Sequence, residues 1–373
     1  MVIFGSPGAG KTYLLLCIAL RLRQQGVKVI IIAPYKGHEF RNACKAVGGQ
    51  FVTIAPGSPE NINIMEIRKL DTENNKKLLK EHSEISLMNT KIQQIHVFFS
   101  LLLKDITPTE TQELDEALIR AYGRYGITAK NKSLIDPRDP TRYKKMPVLG
   151  DLAKELEKGG EGSKRLRSVL TRFVTGSAKS FNAPTNVNLD NDIVVIDVSE
   201  MRKEMLPIGI FIATDFVSDT VKSDRIQKKA VIWDEHHRII GPGGTPESAE
   251  FAANCWKTFR GYRAVCIAAT QSSTDYLSEK NGDFGKQILD ASKLKLVMKV
   301  EALDAYAIGN SLSLSQQEVR DVQYFRRGQA LLLANRNHVQ IEVRASNQEH
   351  RLITTDPREL EEMLLEQESG DYE

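Results

Sequence analysis

The chain opens close to a glycine-rich segment, GSPGAGKT, whose residue types suit the binding of phosphate. The segment matches the pattern G-x-x-x-x-G-K-[ST] at every fixed position. A short apolar stretch, VIF, precedes it, and a helical pattern, TYLLLCIALRLRQQ, follows it and ends at Gly26. This order of strand, loop and helix predicts backbone N–H groups turned toward an anion at the positive end of a helix.

The side chains of this loop favour a nucleotide with Mg²⁺ over a glycine-rich turn that binds nothing. Lys11 is expected to reach the β- and γ-phosphates, and Thr12 is expected to place its hydroxyl on Mg²⁺. The predicted nucleotide-binding residues are Gly5, Ser6, Pro7, Gly8, Ala9, Gly10, Lys11, Thr12 and Tyr13.

A second candidate group follows an apolar run in KKAVIWDEHH. We predict a buried strand that ends at Asp234 and Glu235, on a strand neighbouring that of the phosphate loop. Asp234 would hold Mg²⁺ through water, and Glu235 would act as the general base on the attacking water. Two surface acids at an ordinary strand end are the alternative. His236 and His237 come next, and a supporting position is expected for them rather than a metal site.

The following apolar run, RAVCIAATQ, ends at Gln271. A polar side chain at the tip of the strand beside the acid pair is well placed to sense the γ-phosphate. The alternative is a hydrogen bond to the backbone at the strand end.

Composition limits the other classes of protein. Of 373 residues, 41% are hydrophobic and 27% charged, which is typical of globular chains. The sequence has no run of eighteen apolar residues, so we predict no membrane span, and we identify no signal peptide before the loop. The net charge of +3 does not by itself indicate nucleic acid. The four cysteines are far apart, which fits a reducing cytoplasm and argues against a disulfide framework.

Apolar strand patterns alternate with helical patterns over most of the chain, which predicts a doubly wound, mostly parallel α/β sheet. Predicted strands include 28–34, 50–56, 192–199 and 293–300, and predicted helices include 12–25, 37–47, 207–222 and 246–260. Near the end, GQALLLANRNHVQIEVRA predicts an antiparallel hairpin at the sheet edge.

Strand patterns are missing between Ile67 and Ala183. Apolar residues there recur every three or four positions from Ile85 to Ile106, which predicts one helix with a core-facing stripe. We therefore predict an inserted all-α subdomain over 67–183, and an α/β core over 1–66 and 184–373. Residues 67–182 carry 22 Lys and Arg against 15 Asp and Glu. The basic run from Lys164 to Lys179 is interpreted as a solvated helix face, with a nucleic-acid surface as the alternative.

Several segments together resemble the VirB/TraC-type ATPases of conjugative type IV secretion. They are IFGSPGAGKT, PVLGDLAKEL, NVNLDNDIVVIDVS, VIWDEHH, RAVCIAATQSSTD and FRRGQALLLANRNHVQIEV, and they span nearly the whole chain. The sequence departs from the family mainly at DEHH, where a small or aromatic residue often follows the acids.

The resemblance implies a RecA-like core that hydrolyses ATP to power assembly of the secretion apparatus and substrate transfer. It implies a C-terminal part of a longer protein, since family members carry a domain before the phosphate loop. It also implies a cytoplasmic location at the inner face of the cell membrane. The implied partners are other secretion components, including the coupling protein. Two oligomeric states remain open, a homohexamer when the protein is assembled and a monomer for this part of the protein.

RecA-like motors hydrolyse at subunit interfaces, where a neighbour supplies an arginine. The candidates are Arg260 and Arg263 before the Gln271 strand, and Arg326 and Arg327 before the hairpin. Two other functions remain open. One is a double-stranded DNA translocase of the HerA/FtsK or coupling-protein type, and the other is a nucleotide-gated docking scaffold with negligible turnover.

Overall fold

The computed structural model of the chain describes residues 1–35, 37–68, 85–281, 283–356, 358–359, 361–363 and 365. Eleven strands and fourteen α-helices are defined within these ranges. The strands are β1 Val2–Phe4, β2 Lys28–Ala33, β3 Gln50–Thr53, β4 Ile135–Asp136, β5 Asp139–Tyr143, β6 Ile193–Asp197, β7 Lys229–Trp233, β8 Ala264–Thr270, β9 Leu294–Val297, β10 Gln329–Ala334 and β11 Asn337–Glu342.

The helices alternate with the strands along most of the chain. They are α1 Lys11–Gln24, α2 Gly37–Ala46, α3 Leu87–Leu102, α4 Pro108–Gly123, α5 Leu149–Leu156, α6 Glu161–Val174, α7 Leu206–Ser223, α8 His237–Ile240, α9 Pro246–Thr258, α10 Ser273–Tyr276, α11 Phe284–Ala291, α12 Ala302–Leu312, α13 Gln316–Tyr324 and α14 Asn347–Ile353.

Nine strands form one sheet in the order β11-β10-β9-β1-β8-β7-β2-β6-β3. The strands from β9 to β3 are parallel to their neighbours, whereas β10 and β11 are antiparallel. The predicted mostly parallel sheet and its terminal antiparallel hairpin are therefore confirmed. The hairpin turns at Asn335, whose φ of 57° is left-handed.

One expected strand order is wrong. The strand that carries the acid pair, β7, does not pair with β1, because β8 lies between them. Parallel strands are about 4.8 Å apart, so the ends of β1 and β7 are separated by about 10 Å. A triphosphate chain spans such a gap, and Gln271 at the end of β8 lies in the middle of it.

Residues alternate between two hydrophobic cores on opposite faces of the sheet, as the two-residue period of a strand requires. Ile3, Val29 and Ile31 face the core beneath α1 and α2. Phe4, Ile30 and Ile32 face the larger core, which includes α7, α9 and the helices between β3 and β6. Both faces of the central strands are thus buried, which explains why their sequences are apolar throughout.

The described residues between β3 and β6 contain helices α3 to α6, the short β4–β5 pair and irregular connections, and residues 69–84 lie outside the described residues. Helices α4, α5 and α6 pack on one another, while α3 packs on α7 and α9. A buried ion pair joins Lys91 of α3 to Asp215 of α7, with Nζ 2.9 Å from Oδ2. The division of the chain into a core and an inserted subdomain remains a prediction.

The predicted apolar stripe is longer than the helix that carries it. Ile85 precedes α3 and is 69% exposed, and Ile106 follows its end. The reason is local, because the Ser86 side chain accepts a hydrogen bond from the Asn89 N–H and starts the helix there. At the other end, Leu103 has an extended backbone.

Candidate active site

The predicted phosphate loop closes around the ammonium group of one of its own side chains. Gly8 and Gly10 have φ values of 80° and 97°, which permit the tight turn before α1. The Lys11 ammonium is buried and donates to the carbonyl oxygens of Gly5 at 2.6 Å and Ser6 at 3.2 Å. Lys11 thus ties the end of the loop back to its beginning at the C-terminal end of β1.

Two neighbouring strands hold this loop in place. The Gly5 N–H donates to the Thr270 carbonyl at the end of β8, at 3.2 Å, and the Ser6 N–H donates to the Lys299 carbonyl beyond β9, at 2.8 Å. A side chain at Gly5 would bring its Cβ within 3.1 Å of the Met298 Cβ. Hydrogen bonds to both neighbouring strands thus fix the start of the loop to the sheet.

The acid pair lies at the end of β7, and both side chains are buried. Burial, and after it the nearby charge of Asp234, raises the pKa of Glu235 to about 7. Lys11, the backbone N–H of Gln271 and Arg238 oppose this increase in the pKa. A carboxyl group with a pKa near neutrality is suited to exchange a proton with water.

The two halves of the predicted site line one cavity of about 660 Å³. Lys11 and Thr12 contribute from the loop, and Asp234, Glu235 and Gln271 contribute from the neighbouring strand ends. The full lining is Pro7, Gly8, Gly10, Lys11, Thr12, Tyr13, Tyr35, Glu39, Lys203, Asp234, Glu235, Arg238, Gln271, Arg327 and Thr355.

The four candidate arginines are in two different places. Arg327 lines the cavity, and a Cβ at Gly10 would lie 3.5 Å from its Cγ. Arg326 is exposed next to it and does not line this cavity. Arg260 and Arg263 precede β8, whereas Gln271 follows it, so the seven-residue strand places them about 23 Å from the phosphate loop. Arg263 donates to the Ile226 carbonyl there, at 2.9 Å.

Arg238 was not identified from the sequence, although it lines the same cavity as Lys11 and Glu235. Its guanidinium lies 5.3 Å from the centre of the Tyr35 ring. Its Nε is buried and has no hydrogen-bond partner among the described residues. The sequence offered one signal for Arg238, which is its position four residues after Asp234, in the short helix α8.

The oxygen ligands present fit Mg²⁺. The Asp234 carboxylate and the Thr12 hydroxyl line the cavity together, and Mg²⁺ is usually bound by one or two protein oxygens, with phosphates and water completing its shell. The described residues contain no cluster of three or more His, Cys, Asp or Glu able to hold a metal by themselves. Such a cluster is not required for a metal that arrives with a nucleotide.

Comparisons with protein-family models and with curated protein sequences gave no match. Solved structures do match. VirB4 of Thermoanaerobacter pseudethanolicus superposes with a TM-score of 0.82 at 26% identity, over 93% of this chain and 89% of that one. The chain is VirB4-like.

The bacterial conjugative coupling protein TrwB also superposes on this VirB4-like chain, with a TM-score of 0.59 at 14% identity, over 93% of this chain and 84% of that one. At this identity the likeness concerns the fold alone. TrwB has also been solved with ADP and Mg²⁺, and that structure matches with a TM-score of 0.58 at 14% identity, over 93% of this chain and 85% of that one. The resemblance seen in the sequence is thereby confirmed, as is the predicted fold class.

Proposed function

We propose that this VirB4-like chain binds ATP with Mg²⁺ and hydrolyses the γ-phosphate bond to power type IV secretion or conjugative transfer. The observation that carries the proposal is the single cavity shared by Lys11, Asp234, Glu235 and Gln271. A phosphate-binding loop facing a buried carboxylate of raised pKa suits water activation. A loop without such a base would suit binding only.

The phosphates would lie along the loop, with the terminal phosphate toward the strand ends. Backbone N–H groups of the loop and the Lys11 ammonium would stabilise the negative charge that develops on the phosphoryl oxygens. Glu235 would accept the proton of the attacking water, and Gln271 would contact the γ-phosphate or that water. Mg²⁺, held by Thr12 and by Asp234 through water, would supply charge neutralisation.

The nucleoside would lie at the other end of the loop, because the α-phosphate follows the residues after Lys11 toward Tyr13. A cavity of about 150 Å³ is found on that side, lined in part by Gly10, Tyr13, Arg327 and His350. The Tyr13 hydroxyl is 2.9 Å from His350 Nδ1 of α14. We propose that this cavity receives the base.

The ion pairs made by the basic helix α6 favour a secretion ATPase over a DNA translocase. Lys164 pairs with Glu161, Arg165 pairs with Asp105 and Glu110, and Arg167 pairs with Glu157. Cations that are already paired release fewer counterions on binding a phosphate backbone. The solvated-face interpretation of this run is therefore favoured.

None of the helices in the part of the chain that the structure describes has the length and apolar character of a bilayer crossing. We propose that the chain works in the cytoplasm, at the inner face of the membrane, through secretion partners that include the coupling protein. We propose further that it assembles as a homohexamer in which one of the candidate arginines, Arg260, Arg263, Arg326 or Arg327, reaches a neighbour's site.

The test is the ATPase rate as a function of protein concentration, with and without DNA, while light scattering follows the mass. A specific activity that rises with assembly supports a motor whose sites are shared between subunits. Stimulation by DNA would favour the translocase. A low rate that does not change with concentration, from a monomer, would contradict the motor and favour the docking scaffold.

A further inference from the structure

The backbone at Glu235 is in an unusual conformation. Its φ is 49°, in the left-handed region, where a residue with a Cβ is disfavoured by about 1–2 kcal/mol. Its side chain is nevertheless buried. Such a conformation persists when surrounding contacts determine it, and these contacts are often part of a functional site.

One ring lies against the Glu235 carboxylate. His237 Nδ1 is 3.2 Å from Glu235 Oε2 and 3.0 Å from Thr270 Oγ1. Oε2 is buried and makes no well-aligned hydrogen bond within the described residues. His237 Nδ1 is thus placed to supply a hydrogen bond that this oxygen lacks.

The contacts of Nδ1 favour one tautomer of the neutral ring. An ionised Glu235 carboxylate can only accept a hydrogen bond, so it is matched by a ring that carries its hydrogen on Nδ1. The Thr270 hydroxyl is then an acceptor from Nδ1 and is free to donate to the Ser272 carbonyl, 3.1 Å away, while the Ser272 N–H donates to Thr270 Oγ1 at 3.2 Å. In this tautomer the Nδ1–H lies between Glu235 Oε2 and Thr270 Oγ1.

The contacts continue into the strand that bears Gln271. The Gln271 backbone N–H lies near enough to the Glu235 carboxylate to lower its pKa, and the Thr270 carbonyl accepts from the Gly5 N–H of the glycine-rich loop. The Ser272 side chain caps α10 by accepting from Asp275. His237 therefore stands between the carboxylate and the strand end that touches both the loop and the candidate sensor.

We propose that His237 is a positioning residue whose Nδ1–H holds the Glu235 carboxylate against Thr270, so that base and sensor strand keep one geometry. The inference rests on the proposed function, in which Glu235 is the base. It assigns His237 a role through Glu235, without contact to the nucleotide. Burial lowers the pKa of His237 to about 4, which keeps the ring neutral with one ring N–H to donate.

The experiment compares His237→Asn with His237→Leu. The Asn amide nitrogen can occupy the place of Nδ1 and keep the donor, whereas Leu fills similar space without one. We expect His237→Leu to lower kcat at least tenfold, with the Kd for ATP within twofold of the parent. We expect His237→Asn to recover most of the lost kcat. A merely structural role would not separate these two variants.

Thr270→Val provides a second approach if His237→Leu fails to fold, because it is nearly isosteric and removes only the hydroxyl. We expect it to lower kcat with unchanged ATP binding, and to add little to His237→Leu in the double variant. Equal defects in His237→Asn and His237→Leu, or turnover of both His237→Leu and Thr270→Val within twofold of the parent, would overturn the proposal.

Glu235→Gln separates this inference from the proposed function. If Glu235→Gln loses turnover while His237→Leu and Thr270→Val keep it, the positioning role fails and the base remains. If Glu235→Gln turns over like the parent, or the parent does not turn over, the assignment of the base fails and the positioning role fails with it.

Discussion

The Lys11 ammonium lies 2.6 Å from the Gly5 carbonyl oxygen, so the lysine of the phosphate loop closes the loop upon itself. The same nitrogen is also 3.2 Å from the Ser6 carbonyl oxygen. It is therefore held in an ordered position at the wall of the cavity that a phosphate would enter. Preorganisation of this kind lowers the cost of binding.

Replacing Lys11 tests the loop directly. We expect Lys11→Ala to weaken ATP binding at least a hundredfold, since it removes the charge that faces the β- and γ-phosphates. Isothermal titration with ATP and Mg²⁺ measures the loss, and circular dichroism checks the fold. Unchanged affinity in a folded variant would remove the phosphate-loop assignment.

Replacing Glu235 separates binding from chemistry. We expect Glu235→Gln to retain ATP binding and to reduce turnover by about 10²–10⁴-fold, the usual contribution of a general base. Single-turnover kinetics with a matched titration measure both quantities. If turnover stays at the parent level, another group activates the water.

Arg326 and Arg327 form a natural matched pair, because they are adjacent and only Arg327 lines the loop cavity. We expect Arg327→Ala to raise the Kd for ATP several-fold by removing positive charge near the phosphates. Arg326→Ala should bind ATP normally in the same titration. Should both variants bind like the parent, Arg327 would be a surface charge or would act only on a neighbouring subunit.

The basic face of α6 should not bind DNA strongly. We expect joint replacement of Lys164, Arg165 and Arg167 by Ala to leave DNA affinity and its salt dependence unchanged, because acids already pair with all three cations. Fluorescence anisotropy over a salt series measures this. A reduced salt slope in the triple variant would restore the nucleic-acid interpretation.

Protonation of His236 should weaken the fold in mild acid. Burial, and after it the neighbouring His237, lowers its pKa to about 3, while the unfolded value is 6.5. Between these values the unfolded chain binds the proton and the folded chain does not, so stability falls as pH falls. At pH 5 the loss from this group is about 2 kcal/mol, from 1.36 kcal/mol for each pH unit below 6.5.

His236→Phe tests that prediction. The ring lies near Trp233 and Trp256, with centroids 5.5 and 5.8 Å away, and Nδ1 has no hydrogen-bond partner in the described structure. Phenylalanine should therefore be accommodated. Urea unfolding at pH 7 and pH 5 should show a smaller loss of stability for the variant than for the parent. Equal losses would mean that His236 is not protonated on unfolding.

Much of the architecture follows from local patterns of residue types. The predicted strand 28–34 is Lys28–Ala33, and the predicted helix 207–222 is Leu206–Ser223. Apolar runs bounded by glycine or polar residues define such elements because backbone geometry and burial act locally. The position of β8 between β1 and β7 does not follow from these patterns, since strand order depends on how the crossover helices pack.

The local sequence was sufficient to identify the loop, the acid pair and Gln271 as separate candidates. Each follows a buried strand, and the carboxyl ends of parallel strands are where ligands bind in such sheets. Only the tertiary structure brought them into one cavity, added Arg238 to it, and separated Arg327 from Arg263 by the length of β8. It also paired the cations of α6 and placed His237 against Glu235. Some of these contacts join residues that are far apart in the chain, and others depend on the direction of a side chain. The pattern of residue types carries neither kind of information.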